Sequence, residues 1–239
     1  MAEYARLILA ITAAFLVVSG CHYKNSNTER KNAQAPVLSF HMDGSGDRWA
    51  NKTPLIAEVG LTGRGDFNGI DIKRFHFEND HHDLYVFMEC EPSLEDAYNE
   101  KPSSGAVAKL LFDVDNNPAT GCKSLLQPQG NNEQGYEVGV FIQYGQIINL
   151  VSQTVKRDLF YNIENLNEEG EGIYSRDEFR SDEWDNNPLI VTGKAGVEMA
   201  IPLDRLGVKP GQTVRLLVFE QSHWYDKRAL VPVMLTLSK

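Results

Sequence analysis

The sequence predicts an all-β fold, a two-sheet antiparallel β-sandwich, over residues 36–239. Three observations carry this. Past Pro36 the apolar residues recur mostly at every second position, in runs of five to nine bounded by Gly, Pro, Asn and Asp, which is the period of strands and not of helices. No long amphipathic helical stretch interrupts them. The composition is that of an ordinary globular protein, 42% hydrophobic, 10% aromatic and 23% charged, and roughly 200 residues are ample for one core.

The clearest strands are Ile70 to Phe77, Leu84 to Cys90, Ala108 to Val114, Tyr136 to Gln143, Gln146 to Thr154, Val197 to Ile201, Val214 to Glu220 and Leu230 to Leu237. In the second of these, Leu84, Val86, Met88 and Cys90 share one face while Tyr85 and Phe87 occupy the other. Both faces are apolar, which predicts a central strand covered on two sides. Tyr144-Gly145-Gln146 reads as a hairpin tip. Roughly eight to eleven such strands joined by short turns make a sandwich. Residues 164–187 break the rhythm: Glu164 to Asp185 holds nine acidic residues against Arg176 and Arg180, with Gly170 and Gly172 inside. That segment reads as a solvated acidic insertion, or more sharply as a second cation site or partner-binding loop.

The first 35 residues are of another kind. Leu7 to Val18 is an apolar run of 12 residues behind Arg6, short of the ~20 needed to span a bilayer as a helix and laid out like a secretory signal. Its exit, Val17-Val18-Ser19-Gly20-Cys21, resembles the bacterial lipobox. That resemblance implies a lipoprotein signal peptide over 1–20, with Cys21 lipidated (palmitate among its chains) as the first mature residue. His22 in place of Asp implies an outer-membrane lipoprotein, facing the periplasm or the cell surface and touching the membrane through its lipid anchor only. Residues 21–35 are polar, with no hydrophobic run, and read as a flexible tether about 20 Å long. A net charge of -10 repels phosphate backbones, so nucleic acid is not an expected partner. A monomer is expected.

Two further cysteines, Cys90 and Cys122, either pair in an oxidising compartment or remain as a buried Cys90 and an exposed Cys122. Pairing would close a loop worth ~3 to 4 kcal/mol in the chain-entropy model.

The chemistry-bearing motif is Phe112-Asp113-Val114-Asp115-Asn116-Asn117-Pro118-Ala119-Thr120-Gly121. Carboxylates two apart, then an amide oxygen, then a glycine turn converge on one point, and calcium takes six to eight such oxygens. Asp113, Asp115 and Asn117 are the candidate ligands. The alternative is a turn whose Asp and Asn side chains cap backbone groups.

With three other segments this loop resembles the family-nine carbohydrate-binding module and its wider DOMON-like relatives, whose sandwich is jelly-roll-like. The segments are Met42-Asp43-Gly44-Ser45-Gly46-Asp47-Arg48-Trp49, then Asp83-Leu84-Tyr85-Val86, then the loop with Gly135-Tyr136-Glu137-Val138, then Val197 to Gly207. The resemblance implies a structural calcium at Asp113, Asp115 and Asn117, with Glu137 joining from the adjacent strand. It implies a non-catalytic carbohydrate-binding or cell-surface recognition module whose partner is a glycan or another envelope component.

Sugar binding needs loop aromatics for stacking and polar groups for hydroxyls. Trp184 and the run His223-Trp224-Tyr225-Asp226 are the candidates, whereas Trp49 is expected in the core. A DOMON-type domain binding haem or a similar redox cofactor is the alternative. It needs an axial pair drawn from Met88, His41, His76 and His223. His76, His81, His82 and Asp83 read as a hairpin connection and not a zinc site. No hydrolase, dinucleotide, P-loop or haem-attachment motif occurs, and an enzyme is not the expected class. Glu137, Glu198 and Glu220 would serve a glycan-active enzyme only if they met in a cleft.

Overall fold

The computed structural model describes residues 41–57, 71–91, 93, 94, 96, 105–125, 133–149, 154–180, 189–222, 226–229 and 232–239, all within the unit Val37–Lys239. Cys21, the tether, Trp184 and His223 to Tyr225 lie outside these residues. Twelve strands are found among the described residues. The five-stranded sheet is ordered β1 (Ile56–Ala57), β2 (Asp71–Asn79), β3 (Asp83–Glu91), β9 (Gly196–Pro202), β8 (Ile190–Thr192). The seven-stranded sheet is ordered β11 (Asp226–Ala229), β10 (Thr213–Ser222), β4 (Gly105–Asp113), β5 (Val138–Asn149), β6 (Thr154–Leu166), β7 (Gly172–Arg180). The last strand, β12 (Val233–Thr236), pairs the first half of β10 while β11 pairs its second half. All strand pairings among the described residues are antiparallel, and the one α-helix described there over its full range is the short Leu203–Leu206 (α1). The expected sandwich is therefore present.

Alternation explains how the sheets meet. Phe75, Leu84, Val86, Met88, Val197, Met199 and Ile201 are paired in register on one face of the five-stranded sheet. They share a buried core with Leu110, Phe112, Val140, Ile142, Ile163, Leu216 and Val218 of the other sheet. Tyr161 of β6 donates its hydroxyl to the Ala200 carbonyl of β9 at 2.5 Å, a direct bridge between sheets. At about 25 cal/mol per Å² of apolar area, such a core is the dominant stabilising term. β3 lies in the middle of its sheet with both faces buried, as its sequence predicts.

The outward face of the five-stranded sheet is capped by residues 42–52. Trp49 packs there on Phe87 and His76, with ring centroids 6.0 and 5.7 Å away. Its indole N–H donates to Glu198 Oε1 at 2.6 Å, so Trp49 is the expected core residue. Glu198 Oε2 accepts the Asp43 and Gly44 amides at 2.8 and 2.9 Å.

Three sequence expectations need correction. The strand does not turn at Tyr144-Gly145-Gln146, because β5 continues to Asn149 and pairs β6 throughout. A glycine in a strand is tolerated when its neighbours on both sides are paired. Part of the acidic segment 164–187 is not an insertion: residues 164–166 end β6, and Gly172–Arg180 forms β7. Acidic residues are accommodated there because an edge strand presents charge to solvent. Cys90 and Cys122 do not pair with each other, and both are buried. Cys90 belongs to the main core, whereas Cys122 belongs to a separate apolar cluster with Leu111, Leu125, Tyr136, Leu166 and Leu217.

Candidate metal centre

The centre is built where β4 ends. Phe112 pairs Val138, and the register continues so that Glu137 donates its amide to the Phe112 carbonyl at 3.0 Å. On the other side of β4, Asp113 is the direct cross-strand partner of Arg215 in β10. Glu137, Asp113 and Arg215 thus form a row across three neighbouring chain segments on the outward face of the seven-stranded sheet.

The loop after Asp113 is folded by its own side chains. Asn117 donates its amide to Asp113 Oδ1 at 3.0 Å and Asp115 Oδ1 at 2.9 Å. Asn116 adopts φ 54, the left-handed conformation that Asn tolerates better than most residues. The Thr120 amide donates to the Asn117 carbonyl at 3.1 Å, closing a turn around Pro118 and Ala119. Gly121 follows with φ 65, and a Cβ there would lie 2.5 Å from the Tyr136 carbonyl oxygen. Glycine is required so that Cys122 N–H can donate to that carbonyl at 2.9 Å, which returns the chain to Glu137.

The result is a cluster of oxygens. Ligating atoms of Asp113, Asp115 and Glu137 lie within 4.8 Å of one another. Two oxygens bound to one calcium at 2.3–2.6 Å are at most about 5 Å apart, so the cluster already has the size of one coordination sphere. Thr120 Oγ1 approaches Asn117 O at 2.8 Å, Glu137 Oε1 at 2.9 Å, and Asp115 Oδ1 and Oδ2 each at 3.0 Å. A hydroxyl has one proton and satisfies one acceptor. The other oxygens face its lone pairs, an arrangement a cation would relieve. The donors are oxygens throughout, which suits a hard cation over a thiophilic or imidazole-seeking one.

Electrostatics point the same way. Asp113 is only 1% exposed. Burial pushes its carboxyl above the ordinary range, although the Asn117 amide and Arg215 pull it back. Burial likewise raises Glu137, opposed by hydrogen bonds from the Val114 amide and Thr120 and reinforced by Asp115 and Asp113. For Asp113 and Glu137, burial thus disfavours the ionised form unless positive charge arrives.

Among the sequence-predicted ligands, Asp113, Asp115 and Glu137 come together. Asn117 contributes differently: its side-chain oxygen caps the Ala119 amide at 3.1 Å, and it is the main-chain carbonyl that faces the cluster. Thr120 was not singled out from the sequence, although it sits inside the motif.

The other candidates are placed as follows. Asp226 opens β11, its Cα paired with Ser222. His81 and His82 lie in the exposed β2–β3 connection, as expected. His76 pairs Phe87 while Met88 pairs Phe75, so alternation sends Met88 and His76 to opposite faces of one sheet; His41 is exposed. Glu137 lies just before β5 of the seven-stranded sheet while Glu198 lies in β9 of the five-stranded sheet, and the Glu198 carboxylate is taken up by scaffold hydrogen bonds. No protein-family model, no curated protein and no solved structure matches this chain.

Proposed function

We propose that this chain is a non-catalytic recognition module, held at the bacterial outer membrane by a lipidated Cys21, whose β-sandwich is completed by one structural calcium ion and whose ligand is a glycan of the cell envelope or its surroundings. The observation that carries the calcium reading is the oxygen cluster around Thr120, with Asp113, Asp115 and Glu137 within one coordination sphere. Asp113, Asp115, Glu137, Thr120 Oγ1 and the Asn117 carbonyl would hold the ion, with water completing the shell. Its role is structural: it ties the end of β4 to the start of β5 and relieves three crowded carboxylates.

The recognition reading rests on the four-segment resemblance to carbohydrate-binding modules and on the aromatic residues Trp184, Trp224 and Tyr225, with Asp226 and His223 as polar partners. Lipid anchoring rests on the apolar run and the sequence around Cys21.

Two measurements test it. Millimolar calcium added to chelator-treated protein raises the melting temperature of the wild type and leaves Asp115→Ala unmoved, since a ligand of the folded state stabilises by mass action. Equal melting of both proteins with and without calcium removes the site. A glycan array probed with the full chain then reads the ligand, and an array without signal removes the carbohydrate reading.

A further inference from the structure

His76 stands on the outward face of the five-stranded sheet, in a row with Phe87 of β3 and Glu198 of β9. Trp49 of the 42–52 cap covers that row. The imidazole is only 5% exposed, with the Trp49 and Phe87 ring centroids 5.7 and 5.9 Å away, and its Nδ1 has no hydrogen-bond partner among the described residues. A neutral imidazole is accommodated there by aromatic packing. An imidazolium carries two N–H donors and a charge, and burying them without partners is costly.

The charged groups around His76 are already engaged. On β2, Arg74 and Glu78 lie two residues either side and share its face; Arg74 is 3.0 Å from Glu89 of β3, and Glu78 accepts from Arg48 and Lys52 of the cap. Glu198 of β9 accepts the Trp49 indole and the Asp43 and Gly44 amides. The Tyr85 hydroxyl of β3 donates to Asp80, whose carboxylate also takes the His82 and Asp83 amides. β1 brings only Ile56 and Ala57, and Asp43 and Asp47 of the cap are exposed. Arg48, Lys52 and Arg74 thus stand against Glu78, Glu89 and Glu198, and a proton on His76 adds a fourth cation where every one of these carboxylates already has donors.

We propose that His76 is an acid-sensitive latch beneath the 42–52 cap, and that taking up a proton loosens the cap from the outward face of the sheet. The inference is independent of the cation and glycan readings. Burial disfavours the imidazolium in the closed form, and the pull of Glu89 is opposed by Arg74 and Lys52. Lifting Trp49 returns water to the ring and frees it to titrate at its ordinary value of 6.5. Between about pH 7.5 and about pH 5.5 the open form is therefore favoured by up to about tenfold. Burial alone would raise the Glu78 carboxyl, but Lys52 and Arg48 hold it below 4.5, so loss of its ion pairs falls in a lower window.

The test is amide hydrogen exchange on the purified full chain across that range, as protection factors corrected for intrinsic rate, for wild type and His76→Phe. The cap amides to follow are those of Asp43, Gly44, Trp49 and Lys52, the last two bonded to the Gly46 and Trp49 carbonyls; amides of β4 and β10 are the reference. In the wild type, protection of the cap should fall by up to about tenfold more than that of the reference, and His76→Phe should show no such excess. An equal fall in cap and reference, no fall at all, or an excess that persists in His76→Phe overturns the proposal. His76→Gln, neutral throughout the range, takes the place of a His76→Phe that fails to fold. Should neither fold, the wild-type onset decides: an excess that begins near pH 6.5 supports the latch, and one confined to the carboxylate range below about pH 5 overturns it.

Discussion

Replacing Trp49 by Phe removes one donor from a buried carboxylate and leaves the rest of its surroundings in place. Glu198 is 3% exposed, and Trp49 Nε1 at 2.6 Å is the donor to its Oε1, while two backbone amides serve Oε2. A phenyl ring still stacks on Phe87, but Oε1 loses its partner where water does not enter. A hydrogen bond to a charged group contributes about 1.5–3 kcal/mol, and the smaller ring forfeits roughly 1 kcal/mol more of burial. The expected loss is about 3 kcal/mol. For a domain of this size that lowers the melting temperature by about 6–12 °C. Thermal unfolding by circular dichroism, with a urea midpoint as cross-check, measures it. A Trp49→Phe protein melting within about 1 °C of wild type would refute the reasoning, because Glu198 would then need no indole donor.

Three other outcomes are expected. Cys122 is buried and follows directly on the loop that carries the proposed calcium site, and burial raises its thiol pKa; at calcium one hundred times its dissociation constant, local opening and hence labelling of Cys122 by a thiol reagent should slow by about a hundredfold. Mass spectrometry of the labelled peptides separates it from Cys90, and equal Cys122 rates in chelator and calcium would count against the site. Burial, assisted by Arg74 and Lys52 and opposed by Glu89, lowers the pKa of His76 below 6.5. The unfolded chain then binds the proton first, so this contribution to stability is complete above pH 6.5 and is lost as pH falls toward the lowered value; His76→Phe should flatten the denaturation midpoint across that window, and an unchanged pH profile would show that His76 does not set it. Metabolic labelling with palmitate should mark the wild-type chain and not Cys21→Ala; equal labelling would remove the lipid anchor.

Local pattern accounts for what the sequence determined. Alternation in Leu84 to Cys90 announced a strand covered on both faces, since side chains two apart share a face wherever the strand ends up. Carboxylates at 113 and 115 announced a cluster of oxygens that could hold a cation, because residues two apart in a tight turn converge without help from the rest of the chain. The turn between β5 and β6 was misplaced because Gly145 resembles a hairpin tip locally, and only continuous pairing of β5 with β6 keeps the strand straight past it. β7 was hidden because an edge strand has no need of an apolar alternation on its solvent side.

Tertiary structure alone decided the remainder. Cys90 and Cys122 are near enough in sequence to suggest a bridge, yet they were assigned to different apolar clusters by which face each segment covers. Thr120 joins the cluster because Gly121 lets the chain double back onto Tyr136 and bring Glu137 alongside. Arg215 stands opposite Asp113 across 102 residues of sequence. That partnership depends on the register of β10 against β4, and register is set by how two whole strands bury their inner faces, a quantity no local run of residues contains.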